Sequence, residues 1–363
     1  MNFIDLSTQY QLIENKINQR IQDVLGHKKF IMGPEVQELE KSLAEFVGVE
    51  YAISCANGTD ALSIALLALD IEPGDEIITT PFTFFATGET IALSGAKLVF
   101  VDIDPETYNI DTSKIEEKIT PKTKIILPVS LYGQMSNMVE VMEIAKKHGL
   151  RVIEDAAQSF GAQIGDKKSC SFADISTTSF FPAKPLGCYG DGGALFTTDS
   201  ELAQKIQEIR NHGQSKRYVH TRLGFNSRLD TLQAAILIEK LAIFPGEVSK
   251  RQEVATRYYE ALAGKVKTAT VLDGYKSAFA QFTIEVDNRA QFLENMKEQG
   301  IPTAVHYPIP IHEQPIFKDL GYKNVVAPLA KSASERVVSL PMHPYLTAVE
   351  QQKVVAAVEK SLN

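Results

Sequence analysis

Cysteine is scarce: three residues in a chain of 363, at Cys55, Cys170 and Cys188. They are too few and too scattered for a disulfide framework, and their spacing is not that of metal ligands. Reduced thiols and no metal site are the expectation. Long apolar runs are missing too. The longest, Ala61 to Leu69, is interrupted by Ser63 and falls far short of the roughly 20 residues that span a bilayer. The first ten residues have neither a basic start nor an apolar core, so a secretory signal is not expected. A cytoplasmic protein without membrane association follows as the expectation. Positive charge is in deficit, with a formal net charge of -8, which argues against a general nucleic-acid binder. A local basic pocket for an anionic ligand is compatible with that balance.

What is present is a globular composition. Hydrophobic residues make up 44% and charged residues 23%, which argues against long disorder. The length suggests a large domain and a smaller one. In the first part, short apolar runs at 51–54, 76–80, 97–101, 124–129, 151–154, 175–180 and 194–197 alternate with helix-like stretches. Several runs are continuously apolar, as strands buried on both faces are. Helices are expected at 59–69, ending before Glu72-Pro73-Gly74-Asp75, and at 138–148, stopped by Gly149. This is the pattern of an α/β fold with a mainly parallel, doubly wound sheet. Such sheets bind ligands beyond the carboxyl ends of their strands.

After residue 245 the character changes. Helices are expected at 250–262, 290–299 and 348–362, a strand at 279–286, and a Pro- and His-rich loop at 305–315. The expected division is a large domain, 1–245, and a small α+β C-terminal domain, 246–363.

Four features fall at or just after strand ends. Cys55-Ala-Asn-Gly-Thr-Asp opens a helix; Gly58 allows close backbone approach, Thr59 and Asp60 can cap, and free amides suit a phosphate. Glu154-Asp155-Ala-Ala-Gln158 places acids at a buried strand end, where each needs a cationic or hydrogen-bonding partner. Thr178-Ser179-Phe-Phe-Pro-Ala-Lys184 puts a lysine between an apolar strand and a Pro/Gly turn. A lysine there can have a lowered pKa and act as an amine nucleophile. Gly190-Asp-Gly-Gly193 fits a tight turn and lacks the spacing of a nucleotide fingerprint. Each alone has a plain structural reading. In this order, a phosphate cradle, an acid for a ring nitrogen, a serine and a lysine make a pyridoxal-phosphate site.

At these residues the chain resembles the DegT/DnrJ/EryC1/StrS family of nucleotide-sugar aminotransferases, of fold type I (aspartate aminotransferase-like). The resemblance runs from Phe3-Ile-Asp-Leu through Gly33-Pro-Glu-Val, Pro81-Phe-Thr-Phe, Val101-Asp-Ile-Asp, Gly224-Phe-Asn-Ser-Arg-Leu-Asp and Val305-His-Tyr-Pro-Ile-Pro to Ser339-Leu-Pro-Met-His-Pro. It implies pyridoxal 5'-phosphate as cofactor. Gly58, Thr59 and Ser179 would hold the phosphate, Phe84 would stack on the ring, and Asp155 would pair with the ring nitrogen. Gln158 would contact the ring hydroxyl, and Lys184 would form the Schiff base. Asn226 would reach the phosphate of a neighbouring subunit, which implies a homodimer with shared active sites. One subgroup of the family has histidine in place of the lysine and dehydrates its sugar; Lys184 points to amination.

The stretches 179–193, 303–310 and 340–345 look especially like one branch. That branch transfers an amino group from glutamate to C3 of UDP-2-acetamido-2-deoxy-3-oxo-glucuronic acid, toward diamino uronic acids of bacterial lipopolysaccharide O-antigen. Such a substrate carries a carboxylate and a diphosphate, so an acidic protein needs local cations. Arg228, His306, His312, Lys216 and Arg217 are the candidates, with Tyr307 beside His306; arginine bonds carboxylates bidentately. Two readings compete: amination at C4 of a UDP- or dTDP-linked deoxy keto sugar, and a pyridoxal-binding regulator without turnover.

Overall fold

The apolar runs become the strands of one sheet. The computed structural model describes residues 1–362. The chain opens with α1 (Leu6–His27) and α2 (Pro34–Val47), then alternates through β1 (Tyr51–Cys55), α3 (Gly58–Ala68), β2 (Glu76–Thr79), α4 (Phe85–Leu93) and β3 (Lys97–Phe100). It continues with β4 (Thr123–Leu127), α5 (Met138–His148), β5 (Arg151–Asp155), and a small hairpin of β6 (Gln163–Ile164) and β7 (Lys167–Lys168). Next come β8 (Ile175–Ser179), β9 (Gly193–Thr197), α6 (Ser200–Arg210), a hairpin of β10 (Gln214–Lys216) and β11 (Val219–His220), and α7 (Thr231–Leu262). The last part holds β12 (Lys267–Thr268), β13 (Tyr275–Lys276), β14 (Phe282–Glu285), α8 (Arg289–Glu298), α9 (Pro315–Asp319), α10 (Pro328–Arg336), β15 (Val337–Leu340) and α11 (Ala348–Leu362).

Seven strands pair in the order β1-β9-β8-β5-β4-β2-β3. The pairings from β8 to β3 are parallel. The expected mainly parallel sheet is present, with one exception: β9 runs antiparallel to both its neighbours. The reason is the turn 180–192, which folds the chain straight back beside β8 and pairs Ser179 with Gly193. Gly193 also pairs with Cys55 at the end of β1. That register brings the segments after β1 and after β8 together.

The sheet is covered on both faces. α3 is almost wholly apolar, and Leu62, Ile64, Ala65 and Leu66 lie in one core with Ile53, Ile77, Ile125 and Ile153. On the other face Leu39, Phe160, Phe180, Phe196, Leu237 and Phe244 pack together. A separate core joins Tyr258, Phe282, Ile284, Phe292, Val338 and Val354 around β12-β14-β15. α7 contributes to both these last cores and runs through Pro245 without a break. Residue 245 therefore lies inside a helix; Pro245 has no amide for the Leu241 carbonyl, and buried Leu241, Phe244, Glu247 and Arg251 hold both halves in place. Among the described residues no helix is long and apolar enough to cross a membrane.

Gly133, after β4, shows how tightly the last part of the chain docks. Its φ is +107°, and a Cβ there would lie 2.4 Å from the Phe279 amide nitrogen. Gly133→Ala is expected to cost about 2–4 kcal/mol, read as a fall in the urea midpoint of the cofactor-free protein.

Candidate active site

Successive side chains of a strand point to opposite faces, so Glu154 and Asp155 at the end of β5 face different environments. Both are buried. Glu154 is saturated: Oε1 accepts from Ser130 and Ser169 at 3.1 and 3.0 Å, and Oε2 from the Cys170 amide and Ser176 at 2.9 and 3.2 Å. Asp155 accepts only from Thr87 Oγ1, at 2.8 Å, and from the Ala157 amide, at 3.2 Å. An ionised carboxylate takes about four hydrogen bonds, so Asp155 has acceptor capacity left. Thr87 Oγ1 lies 3.0 Å from Thr83 Oγ1. Because the carboxylate can only accept, Thr87 donates to it and Thr83 donates to Thr87.

Lys184 sits in the turn after β8. No hydrogen bond or ion pair of its amine is found among the described residues, but it is close enough to Asp155 for their charges to interact. Burial lowers the pKa of the ammonium, and the charge of Asp155 only partly offsets this. Burial likewise raises the Asp155 carboxyl above its ordinary value, against the Thr87 and Ala157 hydrogen bonds and the Lys184 charge. Desolvation dominates on both sides of the pair. Lys184 keeps partial solvent access, so it borders a cleft.

The start of α3 lies against the same turn. The cap is Asn57, whose Oδ1 accepts from the Asp60 amide at 2.8 Å; Thr59 and Asp60, expected as caps, are already helical. Asparagine is a stronger cap than threonine, and the chain is still extended at Asn57, as a cap requires. The first amides of the helix, at Gly58 and Thr59, belong to those a helix cannot satisfy itself. A Cβ on Gly58 would stand 2.7 Å from the Cβ of Ser179, and one on Gly193 would stand 2.6 Å from the Asn57 carbonyl. Glycine at both places lets Ser179 and the helix start meet. The Gly190–Gly193 turn thus packs against the cradle without itself presenting a phosphate loop.

Gln158 lies beyond Asp155. The Tyr132 amide donates to Gln158 Oε1 at 2.8 Å, which fixes the side-chain orientation, and Nε2 donates to the Tyr307 hydroxyl at 2.9 Å. Burial and the charge of Asp155 push the Tyr307 phenol up, so it stays protonated. His306 Nδ1 lies 2.9 Å from Ser339 Oγ, and the Tyr132 hydroxyl donates to the His306 carbonyl. Burial first, and then the Lys184 charge, lower the His306 imidazole to about 4. Phe84 is half exposed at the mouth, its ring centroid 5.8 Å from that of Tyr307.

The structure therefore groups Lys184, Asp155, Gln158, Ser179, Gly58, Thr59, Phe84, His306 and Tyr307 at one end of the sheet. It places the other expected residues apart. His312 is buried against Phe100 of the edge strand, with Asp102, Glu313, Lys318 and Lys331 as its charged neighbours. Arg228 donates to Asn211 Oδ1 at 3.3 Å and has no carboxylate partner among the described residues. Asn226, Lys216 and Arg217 are exposed. Sequence reasoning missed Thr83, Thr87 and Tyr132. Two threonines four apart beside a helix start were a readable signal for the first two; Tyr132 carried none.

A model of the DegT/DnrJ/EryC1/StrS aminotransferase family matches residues 11–359. The chain belongs to that family. It is 53% identical over 359 residues, 99% of each chain, to the UDP-2-acetamido-2-deoxy-3-oxo-D-glucuronate aminotransferase of Pseudomonas aeruginosa. It is 46% identical over 359 residues to a pleiotropic regulatory protein of Geobacillus stearothermophilus, covering 98% of this chain and 96% of that one. The crystal structure of NtdA from Bacillus subtilis with bound cofactor PMP superposes with a TM-score of 0.91 at 35% identity, covering 99% of this chain and 83% of that one.

His306 supplies a test of the site's electrostatics. Folding lowers its pKa from 6.5 to about 4. Its contribution to stability is full above the unfolded value and is lost as pH falls from about 6.5 toward about 4. An NMR titration should find this imidazole neutral at pH 6; a midpoint near 6.5 would contradict its placement beside Lys184.

Proposed function

We propose that this aminotransferase moves an amino group from glutamate to C3 of UDP-2-acetamido-2-deoxy-3-oxo-glucuronic acid, using pyridoxal 5'-phosphate. The facing pair of Lys184 and Asp155 carries the reading, in a chain 53% identical to an enzyme named for that keto sugar. The residues fit the cofactor: an amine without a direct partner, a carboxylate with acceptor capacity to spare, and a helix start cleared by Gly58.

When bound, the cofactor supplies an electron sink for the bonds at the amine-bearing carbon. The chain's own residues do the rest. The lowered pKa of Lys184 makes its amine nucleophilic enough to hold the cofactor, and the same amine then moves the proton at the sugar C3. Asp155 keeps the ring nitrogen protonated, and that cation draws the carboxyl back to its ionised form. Gly58, Thr59 and Ser179 hold the phosphate, with α3 directing its free amides there. Phe84 stacks on the ring. Gln158, whose orientation is set by Tyr132, directs its amide toward the ring hydroxyl.

His306, Tyr307 and Arg228 are the proposed sugar contacts, Arg228 for the carboxylate. The buried place of His312 favours packing over contact. The acting unit is a homodimer in which Asn226 of each subunit serves the neighbouring site. Exposed Phe30, Ile31, Met32, Leu223 and Phe225 support it. Phe30 to Met32 lie against the start of α7, through Ile31 opposite Asp230 and the Thr231 amide on the Phe30 carbonyl. Together they make an apolar face of the kind that seeks a copy of itself. Three free, buried thiols suit a cytoplasmic enzyme, and diamino uronic acids of lipopolysaccharide O-antigen are the proposed destination. The name of the Geobacillus relative favours a second reading, a regulator without turnover.

An absorbance titration separates these readings. A band near roughly 410–430 nm, from the cofactor held on lysine, should bleach with glutamate and return with the 3-oxo sugar. Bleaching without return rejects this sugar, and C4-keto sugars become the acceptors to try. No band with added pyridoxal phosphate favours the regulator. Lys184→Ala should lose the band and turnover with an unchanged circular dichroism spectrum. Thr87→Val removes a donor from a buried carboxylate. Its cofactor Kd should rise roughly 10- to 150-fold, for a loss of about 1.5–3 kcal/mol, measured by equilibrium dialysis.

A further inference from the structure

Two motifs take no part in the site described above: Phe3-Ile-Asp-Leu and Ser339-Leu-Pro-Met-His-Pro, apart from the Ser339 hydroxyl. They meet behind Lys184. The Met342 amide donates to the Phe3 carbonyl at 3.2 Å. Asp5, which caps α1 through the Thr8 amide, is close enough to His343 for their charges to interact. Between these segments and the turn 182–187 lies a cavity of about 20 Å³. Its walls include Lys184, Gln9 of α1, Arg251 of α7, His343 and Tyr345.

Three wall residues carry buried polar atoms without a hydrogen-bond partner: Gln9 Oε1, Arg251 Nε and His343 Nδ1. The residues are 7%, 4% and 3% exposed, so bulk water does not serve them. Their other polar groups are engaged. Gln9 Nε2 donates to Glu247 at 2.8 Å, Arg251 Nη1 donates to the carbonyls of Phe279 and Met342 at 3.0 and 3.3 Å, and the His343 ring bonds the Asn2 backbone.

The free atoms are complementary. Arg251 Nε–H can only donate and Gln9 Oε1 can only accept. Burial lowers the His343 pKa, so its ring is neutral. With the ring proton on Nε2 for the Asn2 carbonyl, Nδ1 accepts. One donor and two acceptors surround space for one small molecule. Native interiors rarely leave such groups unpaired, and a polar cavity of this size holds a water. An anion would meet two acceptors, and a metal cation would meet the guanidinium.

We propose that a single water molecule binds in this cavity, accepting from Arg251 Nε–H, donating to Gln9 Oε1 and His343 Nδ1, and offering its remaining lone pair to the Lys184 amine. The water positions the Lys184 side chain against α1, α7 and the His343 segment. The positioning role rests on the reading of Lys184 as the cofactor lysine; the water site does not.

The test has two arms. A crystal structure of the cofactor-free protein should show one peak within about 3.2 Å of all three atoms, with no anomalous signal after a bromide soak. An empty cavity or a halide there overturns the proposal. Gln9→Met keeps the side-chain length and removes the acceptor. It should lose the peak, and the rate of borohydride-trapped pyridoxal phosphate appearing on Lys184, read by peptide mass, should fall about tenfold or more. Arg251→Lys, which keeps the charge and removes Nε–H, should do the same if the first variant does not fold. An unchanged trapping rate overturns the positioning role. Wild-type protein that holds the water but never traps pyridoxal phosphate at Lys184 overturns the functional reading instead.

Discussion

Burying Glu154 and Asp155 side by side at the end of β5 takes two carboxylates out of water, and the strand's alternation gives each a different surrounding. Glu154 is surrounded by four donors and has nothing left to offer a ligand. It fastens β4, β5, β8 and the segment around Cys170 to one another. Asp155 is held by two donors and faces the lysine. The difference is one of saturation, and it separates a structural acid from a functional one at adjacent positions. α4 belongs to the same arrangement, because Thr83 and Thr87 orient the Asp155 carboxylate through a directional chain of hydroxyls.

The other half of the site depends on sheet register. Gly193 pairs with Cys55 on one side and Ser179 on the other. The chain leaves Cys55 into Asn57 and the start of α3, and leaves Ser179 into the turn that carries Lys184. A single residue of β9 thus sets the separation between the phosphate cradle and the lysine. The lack of a side chain at Gly58 and Gly193 is what lets these segments close to contact distance.

The strands and their order of chemistry were legible because buried parallel strands are written as unbroken apolar runs, as in 124–129 and 151–154. The lysine, the aspartate and the serine were legible because ligands gather at strand ends. Other features depend on pairings that no local pattern encodes. The antiparallel course of β9 follows from where the turn 180–192 lands. Helix α7 passes Pro245 because tertiary packing on both sides outweighs one missing hydrogen bond. The Thr87 bond to Asp155 spans 68 positions, and the Tyr132 bond to His306 spans 174. The Asn57 cap was readable, but the glycine and threonine after it drew the attention.

The contact between Phe3 and Met342 has a temporal side. A ribosome adds about 5–20 residues per second, so the two ends of this contact are made roughly 20–70 s apart. During that interval the large sheet can assemble, yet the wall behind Lys184 has only its first half. Completion of the cofactor site is therefore among the last events in the life of the nascent chain, and an unfinished chain lacks the pocket that would let it capture pyridoxal phosphate.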